Sequence, residues 1–255
     1  VIEAIEQEKL PGRGSSLALL VVVTAASVFF WDLPWAQLVL GPVATFVTAV
    51  HEMGHALACL ATGGSVSGLT IVSDNSGHGG LTMCHGGNPF IYTQAGYLGT
   101  ALFGCFLIFI GRHPRLSKAA LVLTGLAVGA ASVTLMTGAI FNEWRIWQGL
   151  ASLSWGLIIA AALVFAGLKL RPDLANLLIL VLAVETALNS LTDVVLLVKI
   201  SLGFYPYASF SDATNMQQMT GIPAAVWSLA WAGASIAMLG ATLWHCYGPR
   251  RARPV

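Results

Sequence analysis

What most restricts this chain is the length of its apolar runs. Crossing a hydrocarbon core of about 30 Å takes roughly 20 helical residues, and runs of that order lie near residues 15–33, 35–62, 91–111, 119–141, 147–168, 174–200 and 222–245. A backbone in lipid must satisfy its own amides, and helices do so within each segment. The sequence therefore predicts an all-α polytopic membrane protein of about seven transmembrane helices. Composition agrees, since 56% of the 255 residues are hydrophobic and 9% are charged, where soluble domains carry about a quarter. Polar, Gly or Pro punctuation separates the runs: Asp32 and Pro34, Thr62 to Gly64, Gly111 to Arg115, Asn142 and Glu143, Lys169 to Asp173, and the stretch Ser201 to Gly221. No internal repeat or second domain stands out. A single integral membrane domain over 1–255 is expected, with a core at about 35–200 and peripheral spans at about 15–33 and 222–245.

A formal charge of +1 provides no basic field and excludes nucleic acid as a partner, leaving the lipid bilayer as the surrounding. Cys59, Cys84, Cys105 and Cys246 lack CxxC spacing and read as small apolar residues that set no redox compartment. Glu3, Glu6 and Glu8 beside Lys9 and Arg13 give the wrong sign for the basic start of a cleavable signal peptide, so residues 17–31 are expected to stay in the membrane.

Residues 65–90 are neither span nor short loop. Val66, Leu69, Ile71 and Leu81 sit there among Gly, Ser and Thr, a pattern that predicts a short β-hairpin-like insertion. Its turn, Ser73 to Gly80, is rich in residues that tolerate positive φ. Strand-like backbone at membrane depth needs protein or water around it, which implies a partly hydrated cavity nearby.

The run just before that hairpin contains His51-Glu52-Met53-Gly54-His55. Helical residues four apart share a face about 6 Å apart along the axis, so both imidazoles can serve one metal ion. Glu52 is then placed as a general base instead of a ligand. Two neutral imidazoles with an oxygen ligand suit Zn2+ and leave a fourth position open. The blander reading, polar residues merely satisfied inside a bundle, has to bear the cost of three ionisable side chains in an apolar run, and such residues usually mark function.

A third ligand should come from another span at a similar depth. His55 lies seven residues before Thr62, roughly 10 Å below that helix end. Asp193 lies seven residues before Ile200, at the matching end of the sixth run, and is the expected third ligand. Glu185 on the same run would lie about 12 Å deeper, and Glu143 sits at a span end beside Arg145, where ion pairing is the ordinary outcome. Asn189, four residues before Asp193, shares its face and is expected near the metal or a substrate carbonyl, with an interhelical hydrogen bond as the alternative. Cys59, Cys84, His78 and His85 read as packing or solvated residues beside this set.

HEMGH within a span, a Gly-rich short-strand region, Asn88-Pro89-Phe90 leading into Gln94-Ala95-Gly96-Tyr97-Leu98-Gly99, and Asn189-Ser190-Leu191-Thr192-Asp193 in a late span together resemble the site-2 protease-like intramembrane zinc metalloproteases, in particular their compact bacterial B-like branch. The resemblance covers about residues 40–200. It implies a multi-pass protein of the bacterial cell membrane that hydrolyses peptide bonds of transmembrane protein substrates. It also implies zinc on His51, His55 and Asp193 with Glu52 as catalytic base. The family's aspartate usually stands in an Asp-Gly pair after a leucine, whereas Asp193 lies between Thr192 and Val194. A helical substrate must unwind before cleavage, and the segment Val66 to Val72, through Val66, Leu69 and Ile71, is expected to hold it by strand addition. The competing class is a metal-binding membrane protein without hydrolysis, either an inactive scaffold or a metal transporter; a transporter would want a second polar site along its path. A di-iron desaturase would need more clustered histidines.

By span parity, the side away from the motif carries Arg112, Arg115, Lys118, Lys169, Arg171, Arg250, Arg251 and Arg253, and the motif side carries Lys9, Arg13, Arg145 and Lys199. The positive-inside rule then turns the site to the exterior, whereas the resemblance implies a site opening to the cytosol. No feature of the sequence specifies the substrate or an oligomeric state.

Overall fold

The computed structural model describes residues 34–72, 79–201 and 211–248, with residues 18, 21, 22 and 25 helical; the side chains of residues 34–39, 114, 115 and 190–201 fall outside that description. Helix α1 (Pro34–Ala61) leads into a hairpin of β1 (Ser65–Thr70) and β2 (Leu81–His85), followed by α2 (Pro89–Gly111). Helix α3 (Pro114–Ala131) continues through a π-helical turn, Ser132–Met136, into α4 (Thr137–Phe141). Then come α5 (Ile146–Lys169), α6 (Pro172–Ser201), the short α7 (Asp212–Thr220) and α8 (Ala224–Tyr247).

Among the described residues, 6 helical segments are long and apolar enough to cross a membrane: Leu40–Ala61, Pro89–Gly111, Leu116–Phe141, Ile146–Lys169, Pro172–Asn189 and Ala224–Tyr247. The protein is a multi-pass integral membrane protein. The other expected span, near 15–33, lies outside the described residues apart from the four positions named above.

The helices begin where local chemistry dictates. Asn88 caps α2, its side chain accepting from the Phe90 amide at 3.1 Å, and Pro89 takes the first helical position, where a missing N–H costs nothing. Large apolar side chains then fill the centre of the bundle, with Leu107 and Ile108 of α2, Leu121 and Val128 of α3, Leu163 of α5, and Ile179 and Leu180 of α6 in one cluster.

The expected hairpin is present, and it is built into the bundle. Leu69 and Ile71 are buried with Ala49 and Ala56 of α1 and Met136 of the π-helical turn. Strand β1 pairs antiparallel with β2, Leu69 opposite Thr82 and Val66 opposite Cys84, with an irregularity between Val66 and Gly68. The other side of β1 is covered: Asn142 Nδ2 donates to the Ser67 carbonyl at 2.9 Å and the Ile71 amide donates to Ser152 Oγ at 2.8 Å. A Cβ at Gly68 would stand 2.6 Å from the Ala139 amide nitrogen.

One expectation is corrected here and another is set in its packing. Leu69 and Ile71, expected to hold substrate with Val66, are buried in the core, and Val66 is half-buried against the same cluster. Among the described residues neither strand has a further strand beside it, and it is the outer side of β1 that Asn142 and Ser152 occupy. Cys59 and Cys84, read above as apolar packing residues, form a disulfide between the end of α1 and β2, while Cys105 and Cys246 are free and buried.

The contact at Gly68 makes hairpin docking testable. Gly68→Val forces backbone apart, and overpacking of this kind costs about 1–3 kcal/mol. A lower thermal midpoint of the detergent-solubilised protein is expected, and an unchanged midpoint would contradict this packing.

Candidate metal centre

The centre is assembled where α1 and α2 cross at Gly54 and Gly96, two positions with no side chain of their own. A Cβ at Gly54 would lie 2.5 Å from the Ala95 carbonyl oxygen, and one at Gly96 would lie 2.4 Å from Nε2 of both His51 and His55. Only glycine permits this approach at these two positions. Its result is that α2 presents backbone directly to the histidines, and His55 Nδ1 donates to the Tyr92 carbonyl at 2.6 Å. That hydrogen bond fixes the proton on Nδ1 and leaves the Nε2 lone pair free to ligate.

His51 is oriented in the same way. Its Nδ1 meets the side-chain amide of Asn189 at 3.2 Å, and its ring stands edge-on to Tyr97, with centroids 4.5 Å apart. For Nε2 to act as a ligand, Nδ1 must carry the proton, so the amide must turn its oxygen toward it; the two ends of an amide exchange by a half-turn. Asn189, predicted to approach metal or substrate, is thus a partner of the His51 ring, one of the two roles weighed for it.

A third donor comes from outside the spans. Asp212 Oδ2 lies 3.0 Å from His51 Nε2 and 3.2 Å from His55 Nε2, while the two Nε2 atoms are 2.9 Å apart. Zinc bonds of about 2.0–2.1 Å in tetrahedral array set neighbouring donors roughly 3.3 Å apart. The three atoms therefore match one face of a zinc tetrahedron. His51, Glu52 and His55 also form a group whose ligand-type atoms all lie within 4.8 Å of one another.

Asp212 is delivered by α7. Ser211 caps that helix in a reciprocal capping box with Thr214, which places Asp212 in the first turn, where the helix dipole favours a negative charge. Ala213 and Met216 of α7 bury against Ala224 and Trp231 of α8, with Tyr97 and Leu98 of α2 alongside. The rings of Tyr97 and Trp231 stack at 5.2 Å. Burial alone would raise the Asp212 carboxyl, but the adjoining His55 and His51 outweigh it and hold the group well below the usual carboxylate range.

Glu52 is buried at 6% exposure on the side of α1 that faces β2. Thr82 Oγ1 donates to Glu52 Oε2 at 2.7 Å, and Gly80 leaves room for the carboxylate, since a Cβ there would meet Glu52 Oε1 at 2.9 Å. Glu52 is thus held by the hairpin, and His51 and His55 by α2, α6 and α7. Of the expected residues, His51, His55, Glu52 and Asn189 come together. The side chain of Asp193 lies outside the described residues, and it is Asp212 that stands at the histidines. The signal for Asp212 was a helix start, Ser211-Asp212-Ala213-Thr214, inside a stretch read as punctuation.

The clearance at Gly96 gives a direct test of the centre. Gly96→Ala sets a methyl group where both imidazole nitrogens lie, so it is expected to abolish stoichiometric zinc retention, measured by elemental analysis of purified protein. Zinc retained at the parent level would refute this geometry.

No curated protein and no solved structure matches the chain. The family model described as Peptidase M50B-like matches residues 19–242, a range that includes α1 with its histidines, the hairpin, α6 and α7. This chain belongs to the Peptidase M50B-like family.

Proposed function

We propose that the protein is a zinc-dependent intramembrane endopeptidase that hydrolyses peptide bonds of membrane-embedded substrate helices, with His51, His55 and Asp212 as metal ligands and Glu52 as the catalytic base. The observation that carries this reading is the meeting of three ligand atoms, 2.9 to 3.2 Å apart, beside a buried carboxylate that takes no part in that triangle. A carboxylate adjacent to a ligand set, and separate from it, suits proton transfer.

Zinc, when bound, supplies Lewis acidity that polarises the scissile carbonyl and brings the pKa of water toward neutrality. Glu52 takes the proton from the attacking water and passes it to the departing amine. Thr82 holds one carboxylate oxygen, Oε2, and so sets the direction in which the other is offered. The Tyr92 carbonyl keeps His55 in the ligating tautomer, and Asn189 does the same for His51 once its amide oxygen is turned to Nδ1. Since β1 is covered, the extended substrate pairs along the outer side of β2, the strand whose Thr82 touches the base.

The metal and the base are tested separately. Glu52→Gln is expected to keep zinc and lose cleavage of a helical membrane substrate by 10²-fold or more, on the order of what a general base contributes. Asp212→Ala is expected to lose zinc, while Asp193→Ala keeps it. Turnover in Glu52→Gln, or zinc lost with Asp193 and kept without Asp212, would sink this assignment. A parent protein that holds zinc and cuts no substrate would support the inactive scaffold.

A further inference from the structure

The alternation of the spans sorts the connecting segments onto two sides. The hairpin, residues 142–145 and α7 lie at one end with the metal centre, and the turns at 112–113 and 170–171 lie at the other. Cationic residues are divided unequally between these ends. Arg112, Arg115, Lys118, Lys169 and Arg171 flank the far side. Among the described residues the centre's side has Arg145 and Lys199. The excess of Lys and Arg marks the cytoplasmic face.

The disulfide is a second and independent observation. Cys59 and Cys84 are bonded at the centre's end of the bundle, and disulfides persist in oxidising compartments while cytosolic thiols are kept reduced. Both observations assign the same side. The bond also has a structural consequence: Thr82 and Cys84 are two apart on β2 and so point to the same face, the face on which one donates to Glu52 and the other is tied to α1.

We propose that the metal-site end of this protein opens to the oxidising, extracytoplasmic side of the membrane, where the Cys59–Cys84 disulfide staples β2 over Glu52. In its formation each thiol gives up its hydrogen, the S–S bond forms, and two protons and two electrons pass to a disulfide donor of that compartment, which leaves as a dithiol. On the proteolytic reading above, and this clause alone rests on it, the bond cut lies in the half of the substrate helix nearer the exterior. Substrates would then be cut from the side on which their extracytoplasmic segments stand.

The test uses the full chain in intact cells, with a membrane-impermeant maleimide as the probe. Single reporters are placed in a Cys105→Ser, Cys246→Ser background: Gln218→Cys on the exposed face of α7, and Arg171→Cys in the exposed turn before α6. Gln218→Cys is expected to react in intact cells, and Arg171→Cys only after permeabilisation. In the parent protein, denatured without reductant, two cysteines are expected to alkylate, rising to four after reduction. Labelling of Arg171→Cys from outside, protection of Gln218→Cys, or four reactive thiols without reductant overturns the proposal. None of these readouts requires zinc or turnover, so an inactive protein leaves the orientation standing, and an inverted protein leaves the metal centre to be judged by its own experiments.

Discussion

The centre depends on two helices meeting backbone to backbone. At Gly54 a side chain would run into the α2 backbone, and at Gly96 one would run into the His51 and His55 rings; this one crossing performs several tasks. It puts the Tyr92 carbonyl on His55, clears the space in which both Nε2 atoms point, and sets Tyr97 edge-on against His51. Close approach of small residues is a usual way for helices to associate in lipid, where apolar side chains gain little by leaving one apolar medium for another. Here the same device that holds the bundle together also makes room for imidazoles.

Polar residues in such a bundle are expensive unless each has a partner, and the arrangement around the centre follows from that cost. His55 is satisfied by backbone, His51 by an amide on α6, Glu52 by a hydroxyl on β2, and both histidines by Asp212. Each partner comes from a different element, so no single helix carries the site. The hairpin and α7 are the irregular parts that a lipid-facing surface would reject; both lie against protein, with their apolar residues buried on α1, the π-helical turn, α2 and α8.

That distribution explains what could be read from the sequence. His51 and His55 are legible because their spacing alone places them on one helical face, and the spans are legible because hydrocarbon thickness fixes their length. The hairpin is visible in composition, yet which side of it faces the bundle depends on Gly68 against Ala139, a contact between residues 71 apart. The disulfide joins cysteines separated by 25 residues with no spacing rule to announce it. Asp212 is not legible by matching depths along spans, because α7 is not a span. A polar helix that folds back onto the end of the bundle can bring a carboxylate to a depth that counting along a transmembrane helix does not reach. The capping residues Ser211 and Thr214 were the local mark of that helix.

Placing the third donor on α7 makes assembly of the centre a tertiary event. His51 and His55 are brought to the same face as soon as α1 forms, whereas Asp212 arrives only when α7 docks between α2 and α8. That docking rests on Met216 and Ala213 in their pocket, on Gln217 Oε1 accepting from the Ala224 amide at 2.8 Å, and on Trp227 Nε1 donating to Thr220 Oγ1 at 3.1 Å. A metal ion that binds all three donors favours the docked state over the undocked one, and the gain follows its affinity and concentration. On the proposed ligand set, ligation and the packing of α7 would be linked, and a change that loosens the Tyr97–Trp231 stack would also weaken metal binding.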